Sequence, residues 1–188
     1  DWEAYNNDPD KPMVNRAIYG AYPPGSTFKP FMALGALEIG KRTPQQAISD
    51  PGFFNFGGHQ FRDDKKGGHG SVDMYKSIVH SCDTYYYMLA NDMGIDNIAN
   101  FMGQMGLGQK TGIDIEGESE GVLPSQAWKK KRFKRPEQQK WYAGETISIG
   151  IGQGYNAYTP IQLAQAMATL AANGALHRPR LVAHVDNL

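Results

Sequence analysis

The chain has 188 residues, 40% of them hydrophobic, which is enough to bury a core and form one domain. Its 19 Lys and Arg residues balance its 19 Asp and Glu residues, so no overall field favours nucleic acid or a membrane surface as a partner. The single cysteine, Cys82, excludes an internal disulfide, and no apolar run reaches the ~18 residues that would predict a membrane span.

The first predicted element is a helix that begins at Ser26 and ends before Gly40. Pro23 and Pro24 favour an extended approach to this helix, and Gly40 favours its end. Apolar residues recur at the i, i+3 spacing of one helix face, at Phe31, Leu34 and Leu37. Residues 1–22, which precede this region, are polar and rich in turn formers, so they predict a loop.

A segment rich in glycine and aromatic residues follows, from Ser49 to Gly70; we call it the glycine-rich excursion. Its composition predicts turns and short strands rather than a helix. A connection of this length is long for a compact domain, and such connections usually carry a function or are held by a cross-link. We therefore expect the excursion to have a functional or a stabilising role.

Three helices are predicted next. Ser71 is expected to cap a helix from Val72 to about Val79, and Asp83 to cap a second helix from Thr84 to about Asp92. A third helix is predicted from Ile95 to Met105, because its apolar residues have helical spacing and glycines follow it. The loop between the first two helices contains Ser81 and Cys82.

The remaining elements are predicted from local patterns. Residues 111–123 are rich in glycine and acidic residues and predict a loop or short strand, whereas the β-branched alternation of residues 146–151 predicts a strand. Thr159 and Pro160 begin another helix, with the proline at its first position. Residues 181–185 have the composition of a strand.

Two further patterns are weak functional signals. The run from Trp128 to Pro136 contains six basic residues with interleaved aromatics, but the acidic loop before it cancels much of its field. A solvated face is the favoured interpretation of this run. The Gly-x-Gly-x-Gly pattern at residues 150–154 lacks the spacing and the acidic ribose partner of a dinucleotide-binding loop.

Ser26 and Lys29 are the strongest candidates for chemistry, because they place a hydroxyl and an amine one helical turn apart. A serine needs an adjacent base to act as a nucleophile, and a lysine deprived of water can serve. The backbone N–H of Ser26, at the start of a helix, would point to a developing oxyanion. Taken alone, the pair also fits an ordinary helix start with a serine cap and a solvated lysine.

A second pair of polar residues, Ser81 and Asp83, lies on the loop between two predicted helices. Such a loop can direct both side chains into one cleft, where Ser81 relays a proton between Lys29 and a leaving group. Asp83 would orient the lysine or contact a substrate amide. The alternative is that the serine and the aspartate only cap the next helix.

Together these motifs resemble the transpeptidase domain of class B penicillin-binding proteins, in the subfamily that serves cell elongation. Serine acyl-transfer enzymes of this superfamily pair Ser-x-x-Lys with Ser-Asp-Asn and Lys-Thr-Gly, and here the second motif ends in Asp83 instead of asparagine. The resemblance covers nearly all 188 residues and implies an α/β fold of the penicillin-binding and serine β-lactamase type, mostly its helical part. It rests on Val14-Asn15-Arg16-Ala17, the segment from Tyr22 to Pro30, Gly68-His69-Gly70, Ser81-Cys82-Asp83-Thr84, Thr111-Gly112-Ile113-Asp114 and the segment from Gly150 to Tyr155.

The resemblance implies a serine-type D,D-transpeptidase that cross-links the stem peptides of peptidoglycan. Ser26 would attack a D-Ala-D-Ala bond with Lys29 as its base, and the acyl-enzyme would pass to a neighbouring stem amine. β-Lactam antibiotics would trap the same serine. Acyl transfer of this kind needs no cofactor. The resemblance also implies membrane proteins of the elongation machinery as partners and the periplasmic face of the bacterial inner membrane as the location, with no role for nucleic acid.

The third motif of the family is spelled by Lys110-Thr111-Gly112, but we expect these residues to form a turn. Only 29 positions separate Lys110 from Ser81, and two predicted helices occupy them. The family's functional Lys-Thr-Gly lies on a strand much nearer the C-terminus of the domain. We therefore expect residues 1–188 to be part of a transpeptidase domain, with that strand, and an N-terminal anchor or pedestal, outside them.

A structural zinc site is the other hypothesis, since zinc binds Cys, His and Asp side chains in closed tetrahedral sites. It would pin the glycine-rich excursion to the loop that carries Ser81, and some members of the resembled subfamily have a zinc at such a place. Asp64 is an alternative to Asp63, and a buried free cysteine beside a hydrogen-bonded histidine is the alternative to a metal. The proposed ligands are Asp50, Asp63, His69 and Cys82.

Two other functions share these sequence features. A serine β-lactamase or a β-lactam sensor would carry the same Ser26 and Lys29, and would differ from a transpeptidase in how fast the acyl-enzyme is hydrolysed. A non-catalytic module, stabilised by zinc and binding other proteins of the elongation machinery, is the alternative from a different class.

Overall fold

The computed structural model describes residues 2–185, and within them nine α-helices and four short strands form. The helices are α1 (Trp2–Asn7), α2 (Lys29–Glu38), α3 (Met74–Val79), α4 (Asp83–Met93), α5 (Ile95–Gln104), α6 (Gln126–Arg132), α7 (Pro136–Gln139), α8 (Ala143–Ile149) and α9 (Pro160–Ala171). The strands are β1 (Ile48–Asp50), β2 (Phe53–Phe56), β3 (His59–Arg62) and β4 (Gly70–Val72). None of the helices in residues 2–185 has the length and apolar character needed to cross a membrane.

The described residues divide into two compact units. The first unit contains residues 2–22, 103–122 and 157–185, and the second contains residues 23–102 and 123–156. Ser26, Lys29 and the glycine-rich excursion all belong to the second unit.

Buried Gln162 of α9 holds the first unit together. Its side-chain amide donates to the backbone carbonyls of Gln109 and Glu120, at 2.6 and 2.9 Å. The Thr159 hydroxyl accepts from the N–H of Gln162, so the predicted start of this helix, with Pro160 at its first position, is confirmed. The amide contacts tie the loop before residue 122 to the start of α9.

Helix α4 is the core element of the second unit. Its buried side chains include Tyr85, Tyr86 and Leu89, and it packs against both α2 and α8. Gly150 follows α8 and lies so close to α4 that a Cβ there would be 2.4 Å from the carbonyl oxygen of Tyr86. Removing these aromatic and aliphatic side chains from water contributes roughly 1.5–3 kcal/mol each.

The glycine-rich excursion forms two antiparallel pairs of strands, as its composition predicts. In the pairing of β1 with β4, Asp50 lies opposite Gly70. In the β2–β3 hairpin, Phe53 lies opposite Arg62. The first pairing brings the two ends of the excursion together, so that Asp50 and His69 become neighbours.

The caps of α3 and α4 differ from the prediction by one or two positions. Asp73, not Ser71, caps α3, because its carboxylate accepts the N–H of Lys76 at 2.8 Å while Ser71 lies in β4. Cys82, not Asp83, caps α4, and its sulfur accepts the N–H of Tyr85 at 3.4 Å. The Asp83 carboxylate binds Lys29 instead.

Two predicted strands do not form. Residues 146–151 lie largely in α8, where the Glu145 carboxylate accepts the N–H of Tyr142 at 2.8 Å and so satisfies a free donor at the helix start. Capping and burial therefore outweigh the β propensity of the isoleucines. The N–H groups of Leu181 and Val182 bind the Asp114 carboxylate, at 2.8 and 2.9 Å, and not a neighbouring strand.

Candidate active site

Ser26 is exposed and lies on a 3-10 turn (Gly25–Phe28) that leads directly into α2. Gly25 has a φ of +55°, which glycine adopts at little cost, and its N–H donates to the carbonyl of Gly152 at 3.1 Å. The Thr27 hydroxyl closes the turn by donating to the carbonyl of Pro24 at 2.6 Å. The α-helix thus begins three residues later than predicted, and Ser26 remains accessible on the tight turn before it.

Lys29 is buried, with 1% of its surface exposed. Its ammonium group donates to three oxygens: the Ser81 carbonyl at 2.5 Å, the Ser81 hydroxyl at 3.0 Å and the Asp83 carboxylate at 2.6 Å. These acceptors match the three donors of a lysine, so burial leaves none of them unsatisfied. The Nζ atom also lies 5.5 Å from the centre of the Tyr86 ring.

Ser81 connects Lys29 to Ser26. Its hydroxyl accepts from Lys29 Nζ and donates to Ser26 Oγ at 2.8 Å. Ser81 has a φ of +54°, a left-handed conformation that is uncommon for a residue with a side chain. Among the contacts of the described residues, the route from the lysine to the candidate nucleophile runs through Ser81, whereas the helical spacing predicted a direct approach.

A second cluster forms where the two ends of the excursion meet the start of α4. Its members are Asp50, Asp63, His69 and Cys82, and one ligand atom from each lies within 4.8 Å of those of the other three. His69 Nδ1 is 2.9 Å from Asp50 Oδ2 and 3.6 Å from Asp63 Oδ1. Cys82 Sγ is 3.5 Å from Asp50 Oδ2 and 3.4 Å from Asp63 Oδ2. The four residues proposed as zinc ligands from the sequence are therefore together in space.

In this cluster the pKa of the Asp63 carboxyl is lowered, whereas the pKa of the Cys82 thiol is raised. Burial acts to raise the pKa of Asp63, but hydrogen bonds from Asp64 and from the N–H of Thr84 lower it to about 2. Burial raises the pKa of the Cys82 thiol, and the nearby carboxylates of Asp63 and Asp50 raise it further. Two carboxylates beside a buried thiol form a set of electron-pair donors that a cation would satisfy.

The Penicillin binding protein transpeptidase domain family matches residues 2–187 of this sequence. The chain belongs to this family. It is 51% identical, over 93% of its length, to the peptidoglycan D,D-transpeptidase MrdA of Acinetobacter baumannii, of which it covers 26%. The chain thus spans about a quarter of the length of this curated relative.

Solved structures of family members share the fold. The crystal structure of Pseudomonas aeruginosa PBP2 in complex with WCK 5153 matches with a TM-score of 0.88 and 43% identity, over 96% of this chain and 41% of that one. PBP2 of Helicobacter pylori in a complex with MreC matches with a TM-score of 0.88 and 36% identity, over 95% of this chain and 32% of that one. The predicted penicillin-binding transpeptidase fold is confirmed.

The Lys110-Thr111-Gly112 segment has a structural role in this transpeptidase fold. It lies outside the helices and strands, and the Glu118 carboxylate accepts the N–H and hydroxyl of Thr111, at 2.6 and 2.5 Å. The N–H of Gly112 donates to the other oxygen of Glu118 at 3.0 Å. The segment is an irregular loop held by one carboxylate.

The contact between Gly152 and Gly25 was not predicted. From the sequence, residues 150–154 indicate only a weak candidate for a phosphate loop, whereas the structure packs them behind the turn that carries Ser26. The repeated glycines were the available signal, because glycine also permits a close approach of two backbones.

Proposed function

We propose that this chain carries the nucleophile and base of a peptidoglycan D,D-transpeptidase, with Ser26 as the nucleophile. The observation that supports this most is the hydrogen-bonded series from Lys29 Nζ through Ser81 Oγ to Ser26 Oγ. It gives an exposed serine hydroxyl a continuous route to a buried amine, which is what activation of a serine requires. The curated relatives, which are transpeptidases, support the same reaction and substrate.

In the proposed acylation, Ser26 Oγ attacks the carbonyl carbon between two D-alanines of a stem peptide. For this step Lys29 must first lose a proton, and the two hydroxyls must turn so that Ser26 donates to Ser81 and Ser81 donates to Lys29. The Ser26 proton then passes to Ser81 Oγ while the Ser81 proton passes to Lys29 Nζ. The Asp83 carboxylate, 2.6 Å from Nζ, stabilises the ammonium that forms. Collapse of the tetrahedral intermediate breaks the peptide bond, and the leaving amine takes a proton back through the same residues.

In the proposed second half-reaction, an amine of a neighbouring stem attacks the ester on Ser26. The same base takes a proton from this amine, and Ser26 Oγ leaves and regains its own. A β-lactam would acylate Ser26 by opening its ring, and the product would persist if water cannot replace the amine. Ser81 and Asp83 therefore act in both halves of the cycle.

Labelling of the natural protein with a fluorescent penicillin tests this assignment. Ser26→Ala should abolish covalent labelling, while Ser71→Ala, which changes an exposed serine on β4, should leave it intact. Equal labelling of Ser26→Ala and the unmodified protein would remove Ser26 as the nucleophile. Rapid loss of the label would favour a β-lactamase, and no labelling of the unmodified protein would favour a non-catalytic module.

We further propose that Asp50, Asp63, His69 and Cys82 hold a structural zinc ion. In a tetrahedral site with zinc bonds of about 2.0–2.3 Å, ligand atoms are about 3.3–3.7 Å apart. Cys82 Sγ lies 3.5 Å from Asp50 Oδ2 and 3.4 Å from Asp63 Oδ2, within that range, whereas His69 Nδ1 lies closer to Asp50 Oδ2, at 2.9 Å. When bound, zinc would favour the Cys82 thiolate and hold the excursion against the start of α4.

Metal analysis of the purified natural protein tests the zinc site. Cys82→Ser is the informative variant, because a serine at this position can still cap α4 by accepting the N–H of Tyr85. We expect one zinc per chain in the unmodified protein and much less in Cys82→Ser, with α4 retained. Absence of stoichiometric zinc from the unmodified protein at neutral pH would contradict the proposal.

The remaining features of the whole protein are proposed from its relatives. We infer that it acts at the periplasmic face of the bacterial inner membrane and that it binds membrane proteins of the elongation machinery. The structure of H. pylori PBP2 with MreC supports such a partner.

We also infer that a Lys-Thr-Gly strand outside residues 1–188 completes the domain. The 41% coverage of P. aeruginosa PBP2 supports this inference.

A further inference from the structure

Residues 150–154, which we call the glycine loop, pack against the turn that carries the candidate nucleophile. The N–H of Gly25 donates to the carbonyl of Gly152 at 3.1 Å. A Cβ on Gly152 would lie 2.3 Å from the carbonyl oxygen of Gly25 and 2.8 Å from its nitrogen, far closer than any real contact. Gly152 also has a φ of +70°. Both the space and the backbone angle therefore demand glycine at this position.

The glycine loop is fixed at its start by α8 and α4. The N–H of Gly152 donates to the carbonyl of Ile149 at 3.0 Å, and that of Gln153 donates to the carbonyl of Ser148 at 3.1 Å. Gly150 lies against the backbone of Tyr86 in α4, with no space for a side chain. The loop therefore cannot retreat from Gly25 without disturbing the packing between these two helices.

An ion pair between a buried lysine and a half-buried glutamate fixes the other end of the glycine loop. Lys129 of α6 is 4% exposed, and its Nζ lies 2.5 and 2.6 Å from the two carboxylate oxygens of Glu145 in α8. The hydroxyl of Tyr155, the residue that follows the loop, donates to the same carboxylate at 3.0 Å. Glu145 thus joins the helix before the loop to the residue after it.

Aromatic rings complete this network. Lys129 Nζ lies 5.7, 5.3 and 5.8 Å from the ring centres of Trp141, Tyr142 and Tyr155. Such rings attract a cation, and this attraction favours one arrangement of the lysine and its carboxylate. Lys129 is the one residue of its basic run that is buried, and its neighbours Lys130 and Lys131 are exposed.

We propose that Gly152 is a positioning residue for Ser26, and that Lys129, Glu145 and Tyr155 hold the loop that carries it. The role rests on the proposed function of Ser26. A nucleophile must be placed to within about 0.5 Å, and a displacement of about 1 Å costs about 100-fold in rate. Any side chain on Gly152 displaces Gly25, and Gly25 is bonded directly to Ser26.

The first test compares Gly152→Ala with Gly58→Ala in the natural protein. Gly58 has a φ of +79° and open space around it, so Gly58→Ala carries a similar backbone strain without the collision. We expect Gly152→Ala to lower the rate constant of acylation at saturating fluorescent penicillin by about 10- to 100-fold. Its melting temperature should lie below that of Gly58→Ala because of the collision, so the rates are compared at a temperature at which both variants are folded. Acylation within about twofold of the control would overturn the proposal.

A second variant keeps the proposal testable if Gly152→Ala fails to fold. Tyr155→Phe removes only the hydroxyl that binds Glu145 and preserves the ring near Lys129. We expect a smaller loss of the acylation rate constant, about 3- to 10-fold, with the non-covalent affinity for penicillin unchanged. An unchanged rate constant in a folded Tyr155→Phe protein would remove this hydroxyl from the network.

Hydrogen exchange at the Gly25 N–H tests the role of Gly152 separately from the proposed function of Ser26. The Gly25 N–H donates to Gly152, so its exchange should accelerate in Gly152→Ala and stay constant in Gly58→Ala. This readout does not depend on acylation. If Ser26 were not labelled at all, faster exchange would still establish the contact between loop and turn. Unchanged exchange in a folded Gly152→Ala protein would contradict it.

Discussion

Ser81 Oγ lies 2.8 Å from Ser26 Oγ, although 55 positions separate the two residues in sequence. The contact depends on the left-handed backbone of Ser81, with its φ of +54°, at the point where α3 gives way to α4. It joins the exposed end of the proposed proton route to its buried end at Lys29. Loss of the Ser81 side chain would therefore interrupt the route at its middle.

Removal of the Ser81 hydroxyl should slow acylation by about 10²- to 10⁴-fold, because the general base loses its route to Ser26. Ser81→Ala and Ser81→Gly both remove the hydroxyl; alanine keeps the Cβ, and with it the strain that serine already has at a φ of +54°, whereas glycine relieves that strain. Pre-steady-state labelling of both variants with a fluorescent penicillin measures the effect. Normal acylation by Ser81→Gly would show that the hydroxyl is dispensable.

Substitution of Lys29 should separate stability from activity. Lys29→Met leaves the Asp83 carboxylate without its ion-pair partner, and we expect a loss of about 3 kcal/mol in the free energy of unfolding. Adding Asp83→Asn removes the unpaired charge, so the double variant should regain stability while acylation stays lost. Urea unfolding and penicillin labelling measure the two properties. Recovery of acylation in the double variant would argue against Lys29 as the base.

Removal of zinc should destabilise the excursion and α4 together. Binding to the folded state adds about 1.4 kcal/mol for each tenfold excess of free zinc over its dissociation constant, so a chelator should lower the melting temperature. Asp50→Asn, which loses a charged ligand but keeps a similar shape, should respond weakly to chelator and to added zinc. A chelator effect of the same size in both proteins would exclude this cluster as the source.

The Lys129–Glu145 pair should make stability depend on pH in the acid range. Burial acts to raise the pKa of Glu145, but its bonds to Lys129, to the N–H of Tyr142 and to Tyr155 hold the pKa below the ordinary value of 4.5. The unfolded state therefore takes up its proton first as pH falls. The stability from this group is complete above about pH 5.5 and is lost as pH falls through the lowered pKa.

The free energy of unfolding, measured as a function of pH in the acid range, tests whether stability falls as the pH falls. Glu145→Gln should show a shallower loss of stability below about pH 5 than the unmodified protein, because it lacks the titrating group. Glu137→Gln, a change at an exposed glutamate of α7, is the matched control and should follow the unmodified protein. Identical slopes for all three proteins would indicate that the ion pair contributes nothing to the pH dependence.

Local patterns predicted several elements well, for physical reasons that are visible in particular residues. Thr159 and Pro160 combine a side-chain cap with a fixed φ, so the start of α9 depends on its own sequence alone. The spacing of Ile98, Phe101 and Met102 predicted α5, and all three are buried. Ser26 and Lys29 are a weak signal when taken alone, and they became the candidate pair because Ser81, Asp83 and the family resemblance accompany them.

Other features depend on contacts that no local pattern contains. Ile147 and Ile149 favour a strand on their own, yet burial against α4 and the capping by Glu145 make them helical. Leu37 belongs by its spacing to the apolar face of α2 but is 38% exposed, while Ala36 beside it is buried. The inward direction of Lys129 depends on rings and a carboxylate up to 26 positions away in sequence.

The order Ser81-Cys82-Asp83 directs consecutive side chains to two different places. Ser81 and Asp83 contact Lys29, while Cys82 turns into the cluster with Asp50 and Asp63. Insertion or deletion of one residue here would exchange these directions and break both arrangements at once. The length of this tripeptide should therefore be intolerant of change during evolution, even under antibiotic selection. Adaptive variation that preserves cross-linking is expected instead in the surrounding loops, such as the turn at Gly57 and Gly58.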